Sequence, residues 1–266
     1  MSSHRVLFLG DVVGEPGRRA LSETLPDLIE RYSPDLVVTN GENVAGGLGI
    51  TERTAKKLLE AGTDVITTGN HVFRHTEVYD FLSSSDRIVR PANYLEGNPG
   101  RGHTVIEKNG VRWGVVNLCG NVFLQAAHSP FLTADRLLHR LRDEADFVIV
   151  DFHAEATSEK VAMGWHLDGR ALAVFGTHTH VPTADARVLP KGTAYISDVG
   201  MTGARGGVIG VKKEQIIERF LTQMPVRFET ADEDPWVMGC VVETEANGLA
   251  ASIEQVIVPA KEPRPR

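Results

Sequence analysis

His178 and His180, in the run Gly176-Thr177-His178-Thr179-His180, follow the apolar stretch Ala171-Leu172-Ala173-Val174-Phe175, which reads as a buried strand. Side chains two apart in a strand point the same way, so a His-x-His pair at its carboxyl end can aim two imidazoles at one point. Neutral imidazole is the commonest nitrogen ligand for transition metals. Taken alone, the pair is equally a polar turn with two unrelated histidines. It does not stand alone. Val6–Leu9 runs into Gly10-Asp11, Leu36–Thr39 into Asn40-Gly41-Glu42-Asn43, Asp64–Thr67 into Gly69-Asn70-His71, and Phe147–Val150 into Asp151-Phe152-His153. In open α/β sheets, sites form outside the carboxyl ends of the strands. Successive strand ends that each carry oxygen or imidazole donors are not what chance scatter gives.

The donor types narrow the chemistry. Carboxylate, carboxamide and imidazole with no thiolate suit Fe or Mn, with Zn compatible, rather than a structural zinc knot. Asp11, Glu42, Asn43, Asn70, His153, His178 and His180 are too many for one tetrahedral ion and suit two divalent transition-metal ions sharing a carboxylate. Glu42, from a central strand, is the natural bridge. Two metals roughly 3.5–4 Å apart form a clamp that activates a bridging hydroxide and stabilises charge on a phosphoryl group. A small phosphoester is the substrate such a clamp fits best.

The elements that must position these residues follow a β-α-β-α-β rhythm, the signature of a parallel sheet with helical crossovers. Helices are expected from Pro16-Gly17 to about Arg31, after a Thr51 cap, near Ala134–Arg142 and near Glu214–Leu221. The rhythm breaks over about residues 90–130, where Asn109-Gly110 marks a hairpin. This irregular segment is expected to flank the substrate pocket, with Asn93, Tyr94, Asn121 and Phe123 as candidate base or sugar contacts. Val226–Thr230, Trp236–Glu243 and Ala250–Val258 read as a closing antiparallel set. The core therefore reads as α/β with a mixed or two-sheet arrangement in a single domain over 1–258, followed by a disordered Pro- and charge-rich tail over 259–266.

At 266 residues and 42% hydrophobic content the chain can bury a sizeable core. A net charge of −7 argues against general nucleic-acid binding, although a bound cation can invert the field locally for a small anionic substrate. Cys119 and Cys240 lie in apolar runs and suit a reducing cytoplasm. The first residues lead straight into a short strand, too short for a signal-peptide core or a membrane span. A cytoplasmic protein is expected. No heptad pattern fixes an oligomeric state, and a homo-oligomer stays open.

Gly10-Asp11, Gly41-Glu42-Asn43, Gly69-Asn70-His71, His153 and Gly176–His180 follow the block order of the calcineurin-like metallophosphoesterases. Within that superfamily the chain resembles the bacterial YmdB-like group, most closely in Gly10–Arg18, Asn40–Asn43, Asp151–Lys160 and Gly192–Gly203, over roughly residues 5–258. The resemblance implies a four-layer α/β/β/α sandwich with mixed sheets. It also implies one metal held by Asp11, Glu42, Asn43 and His180, and a second by Glu42, Asn70, His153 and His178. His71 would act beside the metals as a general acid or phosphoryl-oxygen donor, and the substrates would include 2′,3′-cyclic nucleotides. Two positions depart from the wider superfamily: Val13 replaces the histidine of the usual Asp-x-His block, and Glu42 replaces the usual bridging aspartate. Alternatives of broader phosphatase activity, or of a metal- and nucleotide-binding regulatory protein with slow incidental turnover, stay open.

Four further positions carry weaker readings. Arg18 suits a surface salt bridge better than a phosphate, and Glu155 suits a helix start. Asp198 could orient a ligand histidine or serve as a cap, and His166 could support a ligand from behind. His4, His75, His103, His128 and His139 are expected on the surface.

Overall fold

Along Arg5–Leu9 the side chains of Val6 and Phe8 point one way and those of Leu7 and Leu9 the other, and all four are fully buried. A strand covered on both faces lies inside a layered structure. The computed structural model describes residues 3–245 and 247–260. In chain order the strands are β1 (Arg5–Leu9), β2 (Asp11–Val12), β3 (Leu36–Asn40), β4 (Val65–Thr67), β5 (His103–Lys108), β6 (Val111–Cys119), β7 (Phe147–His153), β8 (Ala173–Thr177), β9 (Arg187–Val188), β10 (Ala194–Ile196), β11 (Met201–Ala204), β12 (Pro235–Thr244) and β13 (Ala250–Pro259). The helices are α1 (Gly14–Tyr32), α2 (Glu52–Glu60), α3 (Tyr79–Ser84), α4 (Pro130–Glu144), α5 (Thr157–Leu167) and α6 (Lys213–Thr222).

These strands form two mixed sheets. In the seven-stranded sheet β1, β3 and β4 are parallel, β12 lies antiparallel to β1, β11 and β2 extend beyond it, and β13 also pairs with β12. The six-stranded sheet runs β5-β6-β7-β8-β10-β9, parallel from β6 to β10 and antiparallel at its two edges.

Between the sheets, Val6, Phe8 and Val38 meet Trp113, Ile149, Phe175 and Ile196, and the rings of Phe8 and Phe175 stack 4.5 Å apart. The outer face of the first sheet packs Leu7, Leu9 and Val37 against Leu21 and Leu25 of α1 and Leu58 of α2. That of the second packs Val116, Val150 and Val174 against Leu138 of α4 and Met163 of α5. The layers are α/β/β/α, as the resemblance implied. Each large apolar side chain so buried contributes about 1.5–3 kcal/mol before conformational entropy is counted.

Local signals behave as their chemistry requires. Thr51 caps α2 in a reciprocal box with Thr54. Asn109 and Gly110 take φ of 55° and 77°, the two positive values a tight hairpin between β5 and β6 needs. Val226–Thr230 is not a strand. Both edges of β12 are already occupied by β1, β11 and β13, so the segment finds only an isolated bridge between Thr230 and Val211. β13 runs one residue past the expected boundary, to Pro259, and residues 261–266 of the expected tail lie outside the described residues. Among the described residues no helix is long and apolar enough to cross a membrane. Both cysteines are buried free thiols, and burial pushes that of Cys119 up to about 12.

Candidate metal centre

β1, β3 and β4 of one sheet and β7 and β8 of the other release their chains at the same end of the sandwich. The seam between the two sheets therefore collects Asp11, Glu42, Asn43, Asn70, His71, His153, His178 and His180. Asp11, Glu42 and His153 are fully buried there.

One group surrounds the Nε2 of His153. It lies 3.0 Å from Asn70 Oδ1, 3.1 Å from Glu42 Oε1 and 3.0 Å from His178 Nδ1. The tautomers follow from what stands behind each ring. Thr177 donates its hydroxyl to Asp151 Oδ1 at 2.7 Å, so its oxygen accepts from His153 Nδ1 at 2.9 Å, and Nε2 presents its lone pair inward. His178 Nε2 lies 3.0 Å from Glu155 Oε2, a carboxylate that favours the ring proton on Nε2, so Nδ1 likewise presents a lone pair. The other three acceptor atoms thus gather around His153 Nε2 at hydrogen-bond distance, an arrangement that only positive charge relieves, either a metal ion or a proton on His153. The donor atoms of Glu42, His153 and His178 all lie within 4.8 Å of one another.

A second group adjoins it through Glu42. Asp11 Oδ1 is buried without a hydrogen-bond partner and lies 3.8 Å from His180 Nε2. His180 Nδ1 donates to the carbonyl of Ile209 at 2.9 Å, which again turns the Nε2 lone pair inward. The Asn43 amide nitrogen lies 3.1 Å from Glu42 Oε1 and 3.2 Å from His180 Nε2, while its oxygen lies 3.0 Å from His71 Nδ1. His71 Nδ1 is also 3.2 Å from Glu42 Oε1, and its backbone N–H donates to Glu42 Oε2 at 3.1 Å. The orphaned Asp11 oxygen and the inward lone pairs fit resident divalent metal.

Gly69 is part of the same cradle: a Cβ there would collide with Glu42 Oε2 and with Cδ2 and Nε2 of His153. Gly69→Ala is expected to leave the circular dichroism spectrum unchanged while weakening metal retention by about 10–100-fold, the scale for disturbed ligand support. Wild-type metal content in this variant would show that the cradle is not the binding volume.

The histidine pair converges for a reason other than strand alternation. β8 ends at Thr177, and His178 and His180 then take left-handed backbones, φ 95° and 65°, at a typical cost of about 1–3 kcal/mol each. Asp198 holds the turn between them. It accepts Thr179 N–H at 3.0 Å, Thr179 Oγ1 at 2.6 Å and Lys160 Nζ at 2.8 Å, in an almost wholly buried ion pair. Asp198 therefore acts through Thr179 and orients no histidine ring. Sequence reasoning misses Asp151, Thr177 and Lys160 as functional residues, and Glu155 is a partner of His178 rather than a simple helix-start carboxylate. A charged residue inside an apolar strand, two positions before His153, is the available signal for Asp151. Asn40 Nδ2 donates to Asp151 at 2.9 Å and Thr67 donates as well.

The cluster is electrostatically unbalanced without a cation. Burial raises the Asp11 carboxyl and pushes that of Asp151 up to about 7. Burial would also raise Glu42, but the facing His153 and His71 hold it well below the usual carboxylate range. Burial alone would lower His153, yet Glu42, Asp11 and Asp151 raise it to about 9. Burial and the neighbouring His153 lower His178 to about 3. A proton on His153 thus stands where a cation belongs, and metal must displace it. In chelator-treated protein the apparent metal affinity should rise about tenfold per pH unit from neutrality to about pH 9, then level off. A flat profile by calorimetric titration would contradict this competition.

Two clefts open from the centre. One, of about 390 Å³, is lined by Glu42, His71 and His180 together with Gly46, Leu48, Ile209 and Phe228. The other, of about 580 Å³, joins Asn70 to the irregular segment through Tyr94 and Phe123. Asn93 is not available to a substrate: it is fully buried, and its amide donates to the carbonyls of Cys119 and His128. Arg18 donates to the carbonyl of Val44 and so pins the Glu42-Asn43 turn, and His166 pairs with Asp135, away from the ligand groups.

A family model described as YmdB-like protein matches residues 7–256. A protein of Bacillus subtilis (strain 168) named 2′,3′-cyclic-nucleotide 2′-phosphodiesterase is 48% identical over 255 residues, covering 96% of this chain and 97% of its own. A crystal structure from Thermus thermophilus, described as a hypothetical protein, superposes with a TM-score of 0.90 at 45% identity over 97% of this chain and 100% of that one. A Mycoplasma pneumoniae structure described as a novel phosphatase gives 0.91 at 36% identity over 99% and 96%. Likeness of this extent, in chains matched nearly end to end, means that this chain belongs to the YmdB-like family of metallophosphoesterases.

Proposed function

We propose that this phosphoric ester hydrolase is a dinuclear, divalent-metal-dependent phosphodiesterase that opens 2′,3′-cyclic nucleotides at the bond to the 2′-oxygen. The observation that carries this reading is the position of Glu42, whose carboxylate touches both donor groups at once. Asp11, Glu42, Asn43 and His180 would hold one ion, and Glu42, Asn70, His153 and His178 the other. Asn43 would turn its amide oxygen toward His180 to do so. Iron or manganese suits these nitrogen and oxygen donors best, with zinc compatible. Bound there, the ions would supply Lewis-acid charge for the phosphoryl oxygens and an ionised water as nucleophile.

The chain's own residues supply the rest. His71 Nδ1 lies 3.2 Å from Glu42 Oε1, an acceptor whichever way the Asn43 amide is turned. Nε2 is the ring atom left for substrate, and in the charged ring it gives its proton to the departing ribose oxygen. The name of the Bacillus subtilis relative supports a cyclic diester over a monoester as substrate. Two buried free thiols accord with a cytoplasmic location.

Elemental analysis of the purified protein, together with parallel rates on 2′,3′-cyclic AMP, 3′,5′-cyclic AMP and p-nitrophenyl phosphate, tests the proposal. About two equivalents of transition metal and a clear preference for the 2′,3′-cyclic diester are expected. Preference for the monoester would replace it with a broad phosphatase.

A further inference from the structure

Phe123 is 86% exposed, follows the half-exposed Val122, and takes φ +65°, a left-handed conformation that bulky side chains rarely adopt. Exposure of a large apolar ring and backbone strain both disfavour this arrangement, and among the described residues nothing covers the ring. The loop that carries it is nevertheless fastened at both feet. Gly120 N–H donates to the carbonyl of His153 at 2.9 Å, and the N–H groups of Asn121 and Val122 donate to the two oxygens of Glu159 at 2.9 and 3.3 Å. At the far foot His128 N–H donates to the Asn93 carbonyl at 3.0 Å, and the Asn93 amide returns to the His128 carbonyl at 3.1 Å.

Between those feet Phe123 lines the 580 Å³ cleft with Phe73, Tyr94, Asn98 and Gln125, and Asn70 forms its inner end. Asn70 Oδ1 is the atom that meets His153 Nε2 at 3.0 Å. The cleft therefore begins at the donor groups and leads outward along aromatic rings and side-chain amides. A held aromatic face beside amide edges is the chemistry that receives a nucleobase, because every base offers a π-face and polar rim atoms.

We propose that Phe123 is the stacking platform for the substrate's nucleobase, with Tyr94 and Phe73 along the same wall and the Asn98 and Gln125 amides near its rim. The inference rests on the phosphodiesterase reading and adds to it the side of the centre that takes the nucleoside. Stacking of this kind favours nucleotides over simple phosphoesters and discriminates weakly among bases.

Phe123→Ala and Phe123→Trp, compared with the metal-loaded wild-type enzyme on 2′,3′-cyclic AMP and on the base-free methyl riboside 2,3-cyclic phosphate, test it. Phe123→Ala should raise KM for 2′,3′-cyclic AMP roughly 5- to 140-fold, the range for one lost base–aromatic stack, with kcat held. It should leave the base-free substrate unchanged, and Phe123→Trp should restore KM. Equal effects on both substrates, or none, would overturn the proposal while the phosphodiesterase reading stood. Failure of the wild type to open 2′,3′-cyclic AMP would instead remove that reading, and this inference with it.

Discussion

Glu42→Gln is expected to remove both metal ions and lower turnover by about 10³-fold or more while leaving the fold in place. The substitution keeps the side chain's shape but replaces a fully buried charge, and one of its two acceptor oxygens becomes a donor. That amide would face His153 Nε2, His71 Nδ1 and the His71 N–H, which now lie 3.1–3.2 Å from carboxylate oxygens. Lewis-acid stabilisation of phosphoryl charge contributes several kcal/mol to the transition state, and at about 1.4 kcal/mol per tenfold this gives the expected loss. The fold should survive because the raised affinity of His153 for a proton has Glu42 as its chief cause, so carboxylate and imidazolium disappear together. Chelator-treated wild type and variant should therefore melt alike. Only the wild type should gain Tm when metal is returned, by the linkage that yields about 4 kcal/mol at a thousandfold excess over Kd. A variant that keeps its metal-dependent rise in Tm would place Glu42 outside the ligand set. If the inactive variant still complemented a deletion strain, the biological role would be regulatory rather than catalytic.

The strand ends that carry Asp11, Glu42, Asn70, His153 and His178 were legible because the strands behind them are parallel and buried on both faces, so each reads as an apolar run that stops abruptly at a polar residue. What supports those ligands was not legible, because the partners come together only through packing. Asp198 meets Lys160 across 38 residues, and Asn93 meets Cys119 across 26. Asn93 reads as a substrate contact because an asparagine in an irregular segment is ordinarily exposed; here it holds the loop that carries Phe123. The stretch Asp151–Lys160 shows how much a short run can carry. Asp151 fixes the His153 tautomer through Thr177, Glu155 turns His178, Glu159 anchors residues 121 and 122, and Lys160 steadies the turn between His178 and His180. Its alternation of charged and apolar residues is visible in the sequence, but each partner lies on another element. The reverse failure, Val226–Thr230, has strand-like composition, but both edges of the neighbouring β12 are taken and it keeps only the Thr230–Val211 bridge.

His71→Ala should lower kcat on 2′,3′-cyclic AMP by about 10²- to 10⁴-fold with metal stoichiometry unchanged. The ring reaches Asn43 and Glu42 only through Nδ1, and its side chain is 32% exposed at the cleft, so its removal opens no buried cavity under the ligands. The backbone N–H that supports Glu42 Oε2 is retained in the variant. The size of the loss should follow the leaving group. A ribose alkoxide departs poorly without a proton and should register the full effect, whereas p-nitrophenolate leaves readily unprotonated and should lose little. That contrast separates proton donation from phosphoryl-oxygen binding, since a residue that only gripped the phosphoryl group would weaken both substrates equally. Metal content measured on the same preparation separates both from ligation: parallel loss of metal and turnover would reassign His71 as a ligand and leave the departing oxygen without an identified donor.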